Sequence, residues 1–274
     1  MSRTRLWSAL LLVSLLATAL IAAGCGGDDD DSGTSGDVEL IEEGTLTIGT
    51  DTPYPPFELG DPPDYEGFDI DLINAVADCL ELDLVIEDVP FDVVLAGGNG
   101  KFDLAIAATS IKPAREKRVD FSDPYFEAEQ SLLVQSGGDV QSAEDLAGKT
   151  VGAQDATTGE TYALEETDAA DVRPFPEIDD AFTALSNGQV DAVINDLPTN
   201  QAATEDNPDL EVVETYETGE QYGIVFPQGT GALLDETNSC LEEIKDDGTL
   251  ADIYQTWFEK DPPESVLSAT HEAS

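Results

Sequence analysis

The chain has 274 residues, of which 59 are acidic and 11 are basic, giving a formal net charge of −48. Phosphate binding requires clustered lysine and arginine, so this charge excludes a broad nucleic-acid surface. Hydrophobic residues form 41% of the chain, which is enough to bury a core and excludes wholesale disorder. The single histidine, His271, argues against most histidine-dependent catalysis and zinc chemistry, so we expect neither an enzyme nor a bound cofactor or metal.

Residues 1–24 have the pattern of an export signal. Two arginines precede an apolar, leucine-rich run that ends in small residues. That run is about long enough to span a bilayer, so an uncleaved membrane helix is the alternative. The ending Ala22-Ala23-Gly24-Cys25 resembles a bacterial lipobox. This resemblance implies that Cys25 is diacylated and anchors the protein to the outer face of the cytoplasmic membrane.

Residues 25–42 are predicted to be a flexible acidic tether, because 26–37 contain no apolar residue to bury. The large negative charge of the remaining chain is explained by a solvated surface that keeps a monomer soluble. A high-salt habitat, in which repulsion between the carboxylates is screened, is the second explanation.

Cys79 and Cys240 remain once Cys25 is assigned to the lipid anchor. Each lies in line with the apolar face of a predicted helix, and an exported protein meets an oxidising compartment. We predict a disulfide that joins these two helices. Two independent buried thiols are the alternative.

Two pairs of similar segments indicate a repeated unit. Residues 99–106 (NGKFDLAI) resemble 187–194 (NGQVDAVI), and each predicts a turn that leads into a short apolar strand. The second pair, at 45–51 and 149–155, predicts the first strand of each unit. Two such units favour an α/β fold with two lobes, each a mostly parallel sheet flanked by helices.

The order of these segments requires two hinge crossings between the lobes. Extended stretches at 128–136 and 222–226 are the predicted crossings, so we expect the lobes to close about a cleft. The first helix is predicted to begin at Asp69 as its N-cap, and a second helix is predicted at 91–98. The predicted limits are 43–129 for the first part of lobe 1, 130–222 for lobe 2, 223–260 for the return to lobe 1, and 261–274 for a tail with little to bury.

The predicted functional residues follow the strands of both units. Ligands of open α/β sheets bind outside the carboxyl ends of the strands, which directs attention to the turns that come next. A nearby aromatic and a basic segment complete the set. The candidate ligand-binding residues are Asp51, Tyr54, Phe91, Ala108, Ser110, Arg115, Gln154, Thr157, Thr158 and Asp196.

A local reversal of charge points to an anionic group on the ligand. Four basic residues fall within 112–118 of this very acidic chain. The planar fork of arginine binds a carboxylate through two parallel hydrogen bonds, so Arg115 is the candidate for this group. Asp196, in the other unit, is the candidate for a cationic group. Together they match the two ends of a zwitterion, and Tyr54 and Phe91 are candidates to stack on its side chain.

Each of these residues also has an ordinary structural explanation. The segment around Arg115 is explained equally by a solvated helix start, and Asp196 by a cap on the helix that begins near Pro198. Tyr54 and Phe91 fit a plain core. The remaining polar candidates, Gln154, Thr157 and Thr158, fit ordinary turns and caps.

Seven short segments together carry a resemblance to a known family. They are 48–51 (IGTD), 56–58 (PFE), 67–72 (GFDIDL), 110–115, 119–125 (VDFSDPY), 148–152 (GKTVG) and 246–250 (DDGTL). Over residues 43–260 the chain resembles the extracellular solute-binding proteins of polar amino acid ABC importers. This family resemblance implies a periplasmic-binding-protein fold with two lobes and two hinge crossings. The sequence departs from the family pattern at Ala156, where glycine is usual, and at Ala107 and Ala108.

The resemblance also implies a role for each candidate. Arg115 is expected to bind the α-carboxylate with help from Ser110 and Thr158, and Asp196 is expected to bind the α-ammonium. Tyr54 and Phe91 are expected to flank the side chain, and Asp51 to face its tip.

The resemblance thus predicts an exported binding lipoprotein that captures a polar amino acid and delivers it to an importer permease. A ligand-sensing adaptor of a membrane receptor and an exported dehydratase of the same fold are the alternatives. A dehydratase requires a positioned general acid. Apart from the region of Lys112, neither histidine nor lysine falls at the predicted cleft.

Overall fold

The structure is a computed structural model and describes residues 38–271. Its strands are β1 (Thr45–Thr50), β2 (Leu59–Asp61), β3 (Asp64–Glu66), β4 (Asp83–Asp88), β5 (Leu104–Ala105), β6 (Val119–Phe121), β7 (Phe126–Gln135), β8 (Thr150–Gln154), β9 (Asp171–Phe175), β10 (Ala192–Asp196), β11 (Leu210–Tyr222) and β12 (Val225–Pro227). Its α-helices are α1 (Phe68–Cys79), α2 (Phe91–Val94), α3 (Thr158–Glu166), α4 (Ile178–Ser186), α5 (Leu197–Asp206), α6 (Gly231–Asp247), α7 (Thr249–Phe258) and α8 (Glu264–Leu267). The predicted signal, Cys25 and most of the predicted tether lie outside the described residues. Between residues 38 and 271 no helix has the length and apolar character of a membrane span.

Two five-stranded sheets define the two lobes, so the predicted two-lobed α/β fold is confirmed. The first sheet has the order β4-β1-β5-β12-β6, and the second has the order β11-β7-β10-β8-β9. Three adjacent strands of each sheet are parallel: β4, β1 and β5 in the first, and β10, β8 and β9 in the second. The other strands pair antiparallel, which makes each sheet mixed rather than mostly parallel.

The two similar sequence segments have the same structural role in each lobe. Asp103 accepts a hydrogen bond from the Thr47 amide (2.8 Å), and Asp191 accepts one from the Thr150 amide (2.8 Å). In each case the aspartate precedes an inner strand and holds the start of its parallel neighbour. The repeated Asn-Gly-x-x-Asp pattern therefore fixes the register of the central strands by the same contact twice.

Helix α1 begins two residues earlier than predicted, so Asp69 is not its N-cap. Gly67 occupies that position with φ of 137°. A Cβ there would lie 2.0 Å from the Phe57 carbonyl oxygen, so this close approach requires glycine. Asp69 instead lies in the first turn with its side chain buried, and it bonds to groups of the first lobe described below.

The predicted helix at 91–98 is also shorter in the structure. Helix α2 ends at Val94, and residues 97–100 form a 3₁₀ turn in which Gly97 and Gly98 have left-handed φ of 67° and 66°. Consecutive glycines in this conformation are incompatible with a continuing α-helix.

The chain passes between the sheets after β6 and returns between β11 and β12. Strands β7 and β11 pair antiparallel along most of their length, with Phe126 opposite Tyr222 at the end nearest the first sheet. Their rings stack at 5.4 Å, and Phe126 also stacks on Tyr254 of α7 at 5.5 Å. This aromatic cluster attaches both crossing strands to the first lobe. The domain limits given above remain predictions.

The described residues after Asp261, 262–271, bury apolar surface, contrary to the expectation for this tail. Helix α8 inserts Val266 into the main hydrophobic core with no exposed surface. This contact could not be predicted from the sequence, because a single valine in a short polar segment has no periodicity to mark it.

The predicted disulfide between Cys79 and Cys240 is confirmed. Cys79 is the last residue of α1, Cys240 lies in α6, and their Cα atoms are 5.9 Å apart. The bond joins an early and a late part of the chain, with a sequence separation of 161 residues.

Replacing both cysteines, Cys79→Ala with Cys240→Ala, should lower the free energy of unfolding by about 2–5 kcal/mol, since a long unfolded loop is no longer closed. Urea denaturation with and without reductant measures the effect. Reductant should destabilise the native chain and leave the double variant unchanged. Equal sensitivity of the two proteins to reductant would contradict the assignment.

Candidate functional site

One cavity collects all the residues predicted from the sequence. It lies where the two lobes meet and has a volume of about 20 Å³, well below the roughly 300–1,000 Å³ typical of small-molecule sites, so the lobes must part to admit a ligand. A larger groove of about 930 Å³ runs beside the disulfide on the surface of the first lobe and contains none of the candidates. The smaller cavity is lined by Asp51, Tyr54, Phe91, Ala107, Ala108, Ser110, Arg115, Gln154, Thr157, Thr158 and Asp196.

The strand-end rule explains why these residues meet. Asp51 follows β1, Ala108 and Ser110 come after β5, Gln154 ends β8, and Asp196 ends β10. These four strands point their carboxyl ends at the cleft from the two lobes. Helix α2 and the turn before β6 complete the walls with Phe91 and Arg115.

Arg115 is the cationic group of the cavity. Its guanidinium donates to the carbonyl oxygens of Ser110 (2.9 Å) and Ala156 (3.2 Å), and its Cζ lies 5.4 Å from the centroid of the Phe91 ring. Burial lowers the pKa of this guanidinium, and the nearby Glu220 and Asp196 oppose that effect. The ion pairs found within residues 38–271 involve other basic side chains, so Arg115 contributes a charge that no carboxylate of the described chain pairs with.

Asp196 is the buried anionic group on the second lobe. It starts helix α5 by position but makes no side-chain cap, so the capping explanation does not account for its carboxylate. Oδ2 accepts hydrogen bonds from Tyr54 (2.7 Å) and Tyr222 (2.5 Å), and Oδ1 accepts one from Gln130. Burial and the charge of Glu220 raise its pKa to about 6, although the three donors act against this. A carboxylate offers about four acceptor positions, so one more donor can be bound.

Asp51 is the centre of a second, separate group of acids. It is 6% exposed and accepts a hydrogen bond from Gln154 Nε2 (2.8 Å), which reaches over from the second lobe. Burial and the charge of Glu177 raise its pKa to about 7, with further contributions from Asp88 and Asp92. Asp51 bonds to Gln154, whereas Arg115 bonds to the carbonyl oxygens of Ser110 and Ala156, so the two residues have different neighbours in the cavity.

The N-terminus of α3 faces the cavity on the second lobe. Thr157 accepts a hydrogen bond from the Glu160 amide (3.2 Å) and is the N-cap, whereas the Thr158 hydroxyl accepts one from Gln130 (3.2 Å). Gly159 lets this turn approach the sheet, because a Cβ there would lie 2.8 Å from the Ile194 carbonyl oxygen. The partial positive charge of this helix end favours an anion.

Two cleft alanines have left-handed backbone, at the positions where the sequence departs from the family pattern. Ala108 has φ of 42° and Ala156 has φ of 62°. This conformation costs about 1–2 kcal/mol in a residue with a Cβ. Carboxylates hold both: Asp69 accepts from the Ala108 amide (2.8 Å), and Glu160 accepts from the Ala156 amide (2.9 Å).

A buried pair of carboxyl groups lies directly behind Ala108. Glu58 and Asp69 have no exposed surface, and Asp69 Oδ2 also accepts from the Tyr125 hydroxyl (2.7 Å). Burial and the charge of Asp69 raise the pKa of Glu58 well above its usual range, and burial raises that of Asp69 to about 6. Both Glu58 oxygens and Asp69 Oδ1 lack a protein donor, so a proton retained on one Glu58 oxygen and donated to Asp69 satisfies two of these three atoms. Backbone bonds between Glu58 and Tyr54 connect this pair to the cavity wall.

Hydrogen bonds cross the cleft at three points of the site. They are Gln154 to Asp51, Tyr54 to Asp196 with Asn195 Oδ1 also 3.0 Å from the Tyr54 hydroxyl, and Arg115 to the Ala156 carbonyl. Each joins a residue of the first lobe to one of the second. The lobes are therefore in contact around the cavity.

Gln130, Tyr222 and Glu220 also border the site, although the sequence did not predict them as its neighbours. Glu220 is 4% exposed and accepts hydrogen bonds from the Ser110 hydroxyl (2.7 Å), and Lys112 lies 3.5 Å from it. All three lie on β7 or β11, whose crossing role the sequence indicates. For Gln130 a signal was present, since a polar residue in the largely buried strand β7 needs a partner, and the cleft is where that strand leads.

Comparison with known proteins identifies the family. Residues 46–260 match the model of the bacterial extracellular solute-binding proteins, family 3. The chain therefore belongs to that family and is an extracellular binding protein, not an enzyme.

Individual relatives agree with this assignment. The ABC transporter glutamine-binding protein GlnH of Bacillus subtilis (strain 168) is 34% identical over 268 residues, covering 93% of this chain and 98% of GlnH. An ancestral arginine-binding protein solved with glutamine is 40% identical, with a TM-score of 0.76, covering 80% of this chain and 100% of that one. An ancestral arginine-binding protein solved with arginine is also 40% identical, with a TM-score of 0.74 and coverages of 78% and 98%.

The shared proton of Glu58 predicts a dependence of stability on pH. A folded pKa above the unfolded value contributes stability at low pH that is lost as the pH rises through the folded pKa. The free energy of unfolding should therefore decrease between pH 5.5 and pH 8, and Glu58→Gln, which keeps a donor for Asp69, should reduce this decrease. Urea denaturation at both pH values measures it.

Other buried carboxyl groups with raised pKa, Asp51 and Asp196, contribute in the same direction, so the decrease should shrink rather than vanish. The exposed substitution Glu243→Gln is the control and should leave the decrease unchanged. A decrease in Glu58→Gln as large as that of the native chain would refute the shared proton.

Proposed function

We propose that this protein captures one amino acid with a cationic side chain, such as L-arginine, between its lobes and delivers it to the membrane subunits of an ABC importer. The observation that carries the proposal is the distribution of charge in one small cavity. A cation without an ion-pair partner in the described chain, Arg115, lies in one part, and a cluster of carboxyl groups around Asp51 lies in another. A zwitterion with an additional positive charge complements both parts.

The α-carboxylate of such a ligand fits the region of Arg115. The guanidinium has five N–H donors, of which two are directed at Ser110 and Ala156, and its planar fork matches a carboxylate. The start of α3 adds the Thr158 hydroxyl and the helix dipole. The α-ammonium fits Asp196, which has one acceptor position to offer and ionises more fully beside a cation.

The side chain is expected to extend past Tyr54 and Phe91 toward Asp51. A guanidinium or ammonium placed there relieves the repulsion among Asp51, Glu177, Asp88 and Asp92, which otherwise favours protonation of Asp51. A neutral amide, as in glutamine, hydrogen-bonds to Asp51 but leaves that repulsion in place. The ancestral arginine-binding proteins solved with glutamine and with arginine support a site of this kind, and charge is the feature that favours arginine here.

Capture and delivery follow from the two-lobed fold. Hinge motion about β7 and β11 opens the cleft, and closure removes the ligand from water. A micromolar affinity corresponds to roughly −8 kcal/mol, which suits reversible scavenging. Association with an importer is supported by the relatives, which are named as ABC transporter proteins. Lipid attachment at Cys25 remains a prediction from the sequence.

Arg115→Ala should weaken the binding of L-arginine by at least two orders of magnitude, because losing one member of a buried ionic contact typically costs about 3–5 kcal/mol. Isothermal titration calorimetry measures the affinity. Arg118→Ala, an exposed residue of the same turn, is the matched control and should bind as the native chain does. A loss smaller than tenfold would reject Arg115 as the carboxylate ligand.

The affinity for L-arginine should increase roughly tenfold from pH 6 to pH 8, because Asp51, with a pKa of about 7, must ionise to bind a cation. Calorimetry is repeated at both pH values with L-citrulline, which has a neutral side chain of similar shape. The comparison separates the effect of ionising Asp51 from that of ionising Asp196. Asp196 acts on the α-ammonium of both ligands, whereas Asp51 distinguishes their side chains.

Asp51→Asn should remove the difference in pH dependence between L-arginine and L-citrulline. Tighter binding of L-citrulline or L-glutamine than of L-arginine at pH 8 would show that the side-chain site selects a neutral group. Failure of all three to bind would contradict the proposed function.

A further inference from the structure

Residues 261–271, here called the strap, fold onto the first lobe beyond the end of the family match at residue 260. Val266 of α8 is fully buried, and Lys245 of α6 donates to the Ala269 carbonyl (3.4 Å). The strap is therefore a fixed part of the described fold. Its position relative to the hinge and to Arg115 indicates a role beyond packing.

One end of the strap lies against both crossing strands. Ser265 donates its hydroxyl to Glu127 of β7, and its carbonyl accepts from Gln221 of β11 (3.5 Å). Glu127 and Gln221 are themselves opposite each other in the β7–β11 pairing. The strap thus contacts the hinge at the end that joins the first lobe.

The other end of the strap holds the turn that carries Arg115. His271 Nε2 lies 3.0 Å from Glu116 Oε1, and the His271 amide donates to Asp123 Oδ1 (2.6 Å). The imidazole also meets the Phe121 ring edge-on, at 6.5 Å between centroids. The side chains of His271 and Glu116 are only 16% and 11% exposed, so this contact is shielded from solvent.

The contact with Glu116 constrains its neighbour Arg115 through the backbone. The amides of Arg115 (2.8 Å) and Glu116 (3.1 Å) both donate to the Lys112 carbonyl, and the amides of Arg118 (2.9 Å) and Val119 (3.2 Å) both donate to the Arg115 carbonyl. Residues 112–119 therefore form one hydrogen-bonded unit, here called the clamp turn. A force on Glu116 is transmitted to the backbone of Arg115.

We infer that the strap positions the clamp turn, and that His271 is a positioning residue for the Arg115 guanidinium. Bidentate recognition of a carboxylate tolerates little displacement of the fork, so a turn free to shift should bind more weakly. The affinity part of this inference rests on the proposed function. The order of the clamp turn does not, because it can be measured without an amino acid.

The first experiment uses His271→Ala in the full chain with two measurements. Hydrogen exchange of the clamp-turn amides, with no amino acid added, should become at least tenfold faster. The affinity for L-arginine should fall roughly tenfold, a change of the size that loss of one partly buried contact typically causes. His271→Gln retains an N–H donor at the end of its side chain and should restore a large part of both.

Leu267→Ala is the matched control, because it alters an exposed side chain of the same strap. It should leave both measurements unchanged. A double-mutant cycle with Glu116→Ala should show non-additive effects on exchange, as expected for residues in contact. If His271→Ala folds poorly, Glu116→Ala alone keeps the test available, because it removes the same contact from the other side and should also speed exchange in the clamp turn.

Unchanged exchange in the clamp turn would overturn the inference, even if overall stability fell, because the strap would then be packing only. Faster exchange with unchanged affinity for L-arginine would also overturn it. If the native chain does not bind L-arginine, the proposed function fails. The exchange data and their rescue by His271→Gln then decide alone whether the strap holds the turn.

Discussion

The site depends on charges that the protein buries without pairing them with one another. Within residues 38–271, Arg115 lacks an ion pair, while Asp196 and Asp51 are held on other walls of the same cavity at raised pKa. Removing such groups from water is unfavourable unless opposite charges arrive in good geometry. A zwitterionic ligand supplies those charges. The unfavourable electrostatic energy of the empty cleft therefore favours binding of a ligand that carries both signs of charge.

Much of the fold could be predicted because the same sequence pattern occurs once in each lobe. The Asn-Gly-x-x-Asp pattern appears before an inner strand of each lobe, and Asp103 and Asp191 perform the same task there. The mixed character of the sheets and the start of α1 were harder to predict from the sequence. Both depend on contacts between distant segments, such as the approach of Gly67 to the Phe57 carbonyl, which no local pattern encodes.

The lining of the cavity was predictable because strand ends converge by topology alone, without knowledge of any side-chain conformation. The residues that surround the lining could not be predicted in this way. Gln130 and Tyr222 bond to Asp196 from two crossing strands whose register is set in three dimensions. The pairing of the Glu58 and Asp69 carboxyl groups could not be predicted for another reason. Each residue belongs to a recognisable motif, but their proximity depends on the fold.

The hydrogen bonds from Gln154 to Asp51, from Tyr54 to Asp196 and from Arg115 to Ala156 have a consequence for how tightly the protein holds its cargo. They give the shut conformation some intrinsic stability, so the fraction of molecules that are shut is partly a property of the chain itself. Apparent affinity scales with the competent fraction of molecules. Evolution can therefore tune retention and release at these bridging positions while leaving the recognition chemistry intact.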